Sequence, residues 1–491
     1  MTRRIQVRLF TSLIITLLGL LGPGSVQAQD GGGWSSPIRL SEGILDDAGA
    51  PARMLRPSTA ADPWGVVHVV WPVQIQEQTA QIGDTLYYAR WSPDTGWSDP
   101  LDVLYLAPDH VMEPRVAADN QGWLHVVWTG IGHIGYSRAP TMTALESARS
   151  WHPEVQIAAA KPTQAAIAID STGNIHVVFC DGSDEVSVKY SNSSDGMTWT
   201  DPETVASGVR ICQVDIAVDD RDQLHLVFGL GEVGGKAVHY TRSEDSGRTW
   251  LSPIEIDRKD ARFWELYAPE AITVLPANDG LVHLVWFGAP AAHRWHQWSQ
   301  DYGQTWSRAV QLSPDLRLST SPPGLAIDGL GRLHLVSLGG GEAPFGLYHA
   351  VWDNGNWSPL VRIVDSGDEM TDIAITQGNF LHVVWDKMAD GDFSIWATDA
   401  MTDAPTAPAK PMPTVVRITS SQSSSGTQAP SAPVAEAQSA VDEALRDQDT
   451  SLRTEPAPNE GNTLMPMLLG AMSSGLIIII VVMVMGRRQV R

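Results

Sequence analysis

The sequence predicts an all-β fold, a seven-bladed β-propeller, and three observations predict it. An apolar run centred on a histidine occurs seven times, as VVHVVW (66–71), WLHVVW (123–128), NIHVVF (174–179), QLHLVF (223–228), LVHLVW (281–286), RLHLVS (332–337) and FLHVVW (380–385). The histidines stand 57, 51, 49, 58, 51 and 48 residues apart, and each unit holds further short apolar stretches joined by Gly/Asp turns, the pattern of four-stranded blades. The last unit lacks its fourth element, marked elsewhere by Trp and Pro, and that element stands at the other end of the chain as WSSP (34–37). An N-terminal strand that completes blade seven closes the ring and leaves no open edge.

Residues 1–28 read as an export signal, with Arg3, Arg4 and Arg8 before an apolar run broken at Gly22-Pro23-Gly24. The propeller is expected over 29–401. Each blade runs in a fixed order: an innermost strand such as AIAID, the histidine strand, a third strand such as VKYSNS, a tight turn, then the Trp element. That element reads WSDP at 97, WHP at 151, WTDP at 199, WLSP at 250, WSRA at 306 and WSP at 357. Residues 402–463 are rich in Pro, Ser, Thr and Ala and bury too little to offset ordering entropy, so a disordered linker is expected. A transmembrane helix is expected over 464–486. Leu464 to Met485 is 22 residues without a charge, enough at ~1.5 Å per residue to cross a hydrocarbon core of ~30 Å. The basic tail 487–491, with Arg487, Arg488 and Arg491, belongs in the cytoplasm by the positive-inside rule. These segments imply a single-pass type I protein of the cell membrane with an extracellular propeller.

The net charge of −23 and the lack of a basic stripe exclude nucleic acid as a partner. Seven histidines at equivalent positions around a ring do not converge as metal ligands must. Neither a metal nor a cofactor is expected, and each imidazole is read as buried and bonded to backbone. Cys180 and Cys212 are the two cysteines. They fall on one face of adjacent blades, within the ~5.5 Å reach of a disulfide.

SEDSGRTW (243–250) and SQDYGQTW (299–306) resemble the Asp-box of the sialidase-like, BNR-repeat propellers, and SSDGMTW (193–199), SPDTGW (92–97) and WDNGNW (352–357) are altered copies. The resemblance spans about 370 residues. It implies that the boxes join third and fourth strands on the face opposite the ligand pocket. Physically a box is a staple. The carboxylates of Asp245 and Asp301 accept backbone N–H bonds beside Ser243 and Ser299. Gly247 and Gly303 take positive φ, and Trp250 and Trp306 pack beneath.

The ligand face is made by loops that enter the innermost strands and leave the second strands. Insertions fall there at 40–56, 72–85 and 257–269, the last holding Arg262, Trp264, Glu265 and Tyr267. Blade two adds Asp109, His110, Glu113 and Arg115, and blade five adds His293, Arg294, Trp295 and His296. Arg115, Arg210, Arg262, Trp264, His293 and Trp295 are the binding candidates, because aromatic rings beside arginines suit sugars and acidic glycans. For activity, the resemblance implies an arginine clamp, an acid and a Tyr/Glu pair. The candidates for these roles are Arg56, Asp109, Glu265 and Tyr267, although LRPS (55–58) departs from the family's Arg-Ile-Pro motif. The expected function is therefore a non-catalytic surface propeller that binds a glycan or a surface protein. The alternative is a divergent exo-sialidase-like glycoside hydrolase.

Overall fold

The computed structural model describes residues 33–410 except 55, 76–82, 107–109, 183–184, 209, 233–234, 261–269, 289–292, 313–316, 319–320, 341–342, 368–369 and 390. The expected signal, the span 464–486 and the tail lie outside them, as do Asp109, Arg262, Trp264, Glu265 and Tyr267. Among the described residues no helix is long and apolar enough to cross a membrane.

Each histidine run is the second strand of a blade, and burial explains its composition. In Val67–Gln74 seven of eight residues are buried, and Val282–Gly288 is buried throughout. A strand enclosed on both faces favours β-branched and aromatic residues without alternation. The innermost strands are Ser58–Ala61, Met112–Ala118, Pro162–Ile169, Arg210–Val218, Glu270–Pro276, Gly324–Ile327 and Thr371–Thr376. All seven sheets are antiparallel, and blades one and six carry two extra short strands each. Blade seven takes its fourth strand from the N-terminus. Ile38–Arg39 pairs with Asp392–Met401, Ile38 opposite Ala397, and Arg39 holds Asp392 at 2.9 Å. The fold is thus a seven-bladed β-propeller closed by an N-terminal strand.

The buried histidines do not bond to backbone, contrary to expectation. In blades one to four each joins two side chains, as Asp62–His68–Tyr88, Asp119–His125–Tyr136, Asp170–His176–Tyr190 and Asp219–His225–Tyr240. Nδ1 meets the phenol oxygen at 2.7–2.8 Å, and Nε2 meets the carboxylate at 3.0–3.4 Å. The Asp also grips its own turn, as Asp219 Oδ1 accepts from the N–H groups of Arg221 and Gln223. Each Tyr ring then meets the Trp of the next blade, Tyr88 with Trp151, Tyr136 with Trp199, Tyr190 with Trp250 and Tyr240 with Trp306, at 4.8–5.5 Å. Side chains therefore link each of these turns to the following blade.

The Asp-boxes connect third to fourth strands on the face opposite the innermost-strand starts. Asp245 Oδ1 accepts from Thr249 N–H and Asp301 Oδ1 from Thr305 N–H, at 2.8 and 2.7 Å. Gly247 and Gly303 have φ of 84° and 78°. A Cβ at either would sit 2.0 or 1.9 Å from the preceding blade's Tyr190 or Tyr240 oxygen, so glycine is required twice over.

Two expected loops are folded instead. In the 40–56 insertion Leu40, Ile44, Ala52 and Met54 are buried, and Arg53–Met54 extends the sheet of blade one. Residues 402–410, assigned above to the linker, lie along the underside: Ala407 N–H donates to Gln377 and Lys410 N–H to Pro63. Cys180 and Cys212 are disulfide-bonded, with Cα atoms 5.6 Å apart, and tie blade three to blade four.

Candidate functional site

Antiparallel pairing places the starts of innermost strands, the ends of second strands and the starts of third strands on one face. Among the described residues, three non-glycine residues there have left-handed backbone: Arg56 (φ 56°), Glu113 (φ 46°) and Ala271 (φ 51°). All stand two residues before equivalent channel positions in blades one, two and five. Such conformations cost ~1–3 kcal/mol each and cluster where a fold serves a ligand rather than itself. The Arg56 and Glu113 side chains form an ion pair across the first two blades. Below it, Asp386 is fully buried and accepts from the N–H groups of Arg56 and Met370 at 3.0 and 2.9 Å.

Deeper in the channel, ring symmetry exposes the departures. The residue two before each histidine's cross-strand partner is Ser58, Arg115, Ala166, Asp215, Thr273, Gly324 or Asp372. Several of these stitch neighbouring innermost strands together. Ser58 Oγ accepts from Val116 N–H, Asp215 Oδ2 from Val274 N–H and Asp372 Oδ2 from Thr59 N–H, at 3.3, 2.9 and 2.9 Å. Gln164 and Gln213 do the same nearby. The Arg115 guanidinium cannot accept, and no side-chain hydrogen bond or ion pair joins it to another described residue. It is the one cation in this ring of seven.

Asp215 and Asp372 are half-buried on the innermost strands of blades four and seven. Burial pushes the Asp215 carboxyl up to about 6, against backbone bonding and the field of Arg115. Asp372 is raised for the same reason, again with Arg115 opposing. A carboxyl with a pKa near 6 is half-protonated in mildly acidic water, so it can donate as well as accept. The mouth and throat thus offer arginine donors beside carboxyl groups of either kind, a set suited to polyhydroxylated ligands.

Of the sequence candidates, the structure gathers Arg56 and Arg115 on adjacent blades, with Glu113 between them. Arg210 opens the innermost strand of blade four. His293 begins the third strand of blade five on the same face, half-buried. Trp295 is turned into the core between blades four and five, packed with Val227, Tyr240 and Trp286. Arg294 is buried and donates to the carbonyls of Ala271 and Ser321, and His296 pairs with His283. Sequence reasoning missed Asp215 and Asp372. Their signal was a shared Asp-Ile-Ala in otherwise apolar innermost strands, at 215–217 and 372–374.

No family model and no curated protein matches the chain. Solved structures do match its fold. An ulvan lyase, also solved bound to -[GlcA(1-4)Rha3S]-, is similar at 12% identity and a TM-score of 0.50, over 73% of this chain and 95% of that one. The NanB sialidase from Streptococcus pneumoniae aligns at 12% identity and a TM-score of 0.46, over 76% and 72%. The Trypanosoma rangeli sialidase aligns at 11% and 0.41, over 74% and 59%. At this identity the match to the ulvan lyase shows a shared fold alone.

Proposed function

We propose that this chain is a membrane-anchored surface propeller that binds a glycan, without cleaving it, at the mouth formed by the innermost-strand starts. The observation that carries the reading is Arg115: a cation without an ion pair, in a channel ring whose other charged members are Asp215 and Asp372. A structural role rewards pairing such a group, whereas a binding role leaves its donors open for ligand oxygens. The ulvan lyase, a propeller of similar fold, is solved bound to -[GlcA(1-4)Rha3S]-, which supports a carbohydrate ligand. In sequence the insertion 257–269, with Arg262, Trp264, Glu265 and Tyr267, directly precedes the innermost strand of blade five, and the stacking rings it carries would add affinity.

Purified full-length protein on a glycan array should give saturable binding and release no sialic acid from sialosides. Arg115→Ala, Trp264→Ala and Tyr267→Ala should each weaken that binding by about 1–3 kcal/mol with the melting temperature little changed. Turnover of a fluorogenic sialoside that Tyr267→Phe abolishes would instead make the protein a divergent exo-sialidase-like glycoside hydrolase.

A further inference from the structure

The geometry points to a second ligand site on the underside, at the seam where the ring closes: a pocket for a small neutral molecule that presents a hydroxyl group on a single ring, a phenol. A cavity of about 260 Å³ lies there between blades six and seven, walled by Trp34, Arg332, His349, Leu381, Met401 and Asp403.

Its origin is the closure itself. In blades one to four the space beside the buried histidine is filled by a tyrosine, and the next blade's third-to-fourth turn packs against it. Tyr190, for example, donates to the Ser246 carbonyl at 3.1 Å and lies against Gly247. Blade seven has no such turn, because its fourth strand arrives from the other end of the chain. Two chain segments, at Gly33–Trp34 and Thr402–Asp403, flank the gap instead. Blade six also carries a smaller imidazole, His349, where blades one to four carry tyrosine. Both changes remove volume from the same place.

The hydrogen-bond chain sets the polarity of the pocket. Asp328 accepts from His334 Nε2–H at 3.1 Å, which leaves His334 Nδ1 as an acceptor. That nitrogen lies 2.9 Å from His349 Nε2, which must therefore carry the hydrogen. The remaining His349 nitrogen, Nδ1, is then a bare acceptor with no hydrogen-bond partner among the described residues. A ligand must bring the donor. An anionic ligand finds no free counter-ion, because Arg332 is already held by both Asp328 and Asp403. The Trp34 ring stands edge-on to His349 at 5.4 Å, and Leu381 and Met401 supply apolar wall, so a flat ring is accommodated beside the acceptor.

The test is calorimetric titration of purified full-length protein with phenol and with anisole, its methyl ether, which has the ring and no donor. Phenol should bind about tenfold more tightly, the value of one hydrogen bond to the His349 acceptor. His349→Tyr supplies the pocket with the side chain of blades one to four and should abolish phenol binding. Equal affinities for phenol and anisole, no phenol binding at millimolar concentration, or phenol binding that survives in a folded His349→Tyr protein would each overturn the site. Should that variant fail to fold, the phenol and anisole comparison on the unaltered protein decides alone.

Discussion

Each nitrogen of a buried imidazole needs a partner, and the seven blades meet that need in different ways. Blades one to four use Asp and Tyr. Blade seven substitutes Thr376 and Asp399 around His382, at 3.0 and 2.8 Å. Blade five is incomplete. His283 Nδ1 meets His296 Nε2 at 3.0 Å, but His283 Nε2 has no partner among the described residues, because Ala277 stands where blades one to four and six carry Asp and blade seven carries Thr376. A buried polar atom left unsatisfied costs on the order of 1–3 kcal/mol. Ala277→Asp should place a carboxylate on both His283 Nε2 and the Leu281 N–H. We expect stability to rise by about 1 kcal/mol, read as a higher melting temperature. An unchanged or lower value would mean that another group already satisfies the imidazole. The histidines were visible in the sequence at regular spacing. Their partners were not, because a tyrosine in VKYSNS or VHYTRS reads equally well as an ordinary strand residue.

The elements were legible where burial is two-sided and repetitive. All seven histidine strands were read correctly from their apolar runs, and the displaced WSSP correctly placed the closing strand. The ladder of that strand is short: Ile38 and Arg39 pair with Trp396 and Ala397, Trp34 bridges Ala400, and Leu40 N–H donates to Ile395. Trp34 also does for His349 what Trp250 does for Tyr190. Deleting residues 29–41 should therefore open blade seven, lower the melting temperature markedly and promote aggregation through the bared edge of Asp392–Met401. A truncated protein that melts with the intact one would show that closure contributes nothing. The 40–56 segment was misjudged as a loop because its buried residues, Leu40, Ile44, Ala52 and Met54, follow no strand period.

Across the whole molecule, buried titrating groups make stability depend on pH in two opposed ways. Burial holds His283 and His349 down to about 3, against an ordinary value of 6.5. Both states are neutral at these residues above pH 6.5. Below it the unfolded chain takes up protons that the folded one refuses, so stability falls as pH drops from 6.5 toward 3, by about 1.4 kcal/mol per pH unit for each imidazole. Asp215 acts in the other sense. Its folded value of about 6 lies above the ordinary 3.8, so its buried charge costs stability at neutral pH, and the cost fades as pH falls from 6 toward 3.8. Asp215→Asn, which keeps an acceptor for Val274 N–H, should raise stability at pH 7 by up to about 3 kcal/mol and lose that advantage near pH 4. The same change should weaken glycan binding if the throat is the site, the usual exchange of activity for stability. Denaturant melts of both proteins at pH 7 and pH 4 measure it; an advantage that persists at pH 4 would mean the charge is not its cause.

The sequence by itself determined the architecture, because a propeller blade is a local unit whose strands, turns and staples lie within about fifty residues of each other and are repeated. It determined closure for the same reason, since a missing element at one end and a spare at the other leave one arrangement. Only the tertiary structure decided which residues share the channel. Arg115, Asp215 and Asp372 lie 100 and 157 residues apart along the chain and become neighbours only through the curvature of the ring. The seam cavity was likewise illegible. It exists because two distant chain segments meet where a turn would otherwise be, and no periodicity in the sequence reports space that is left empty.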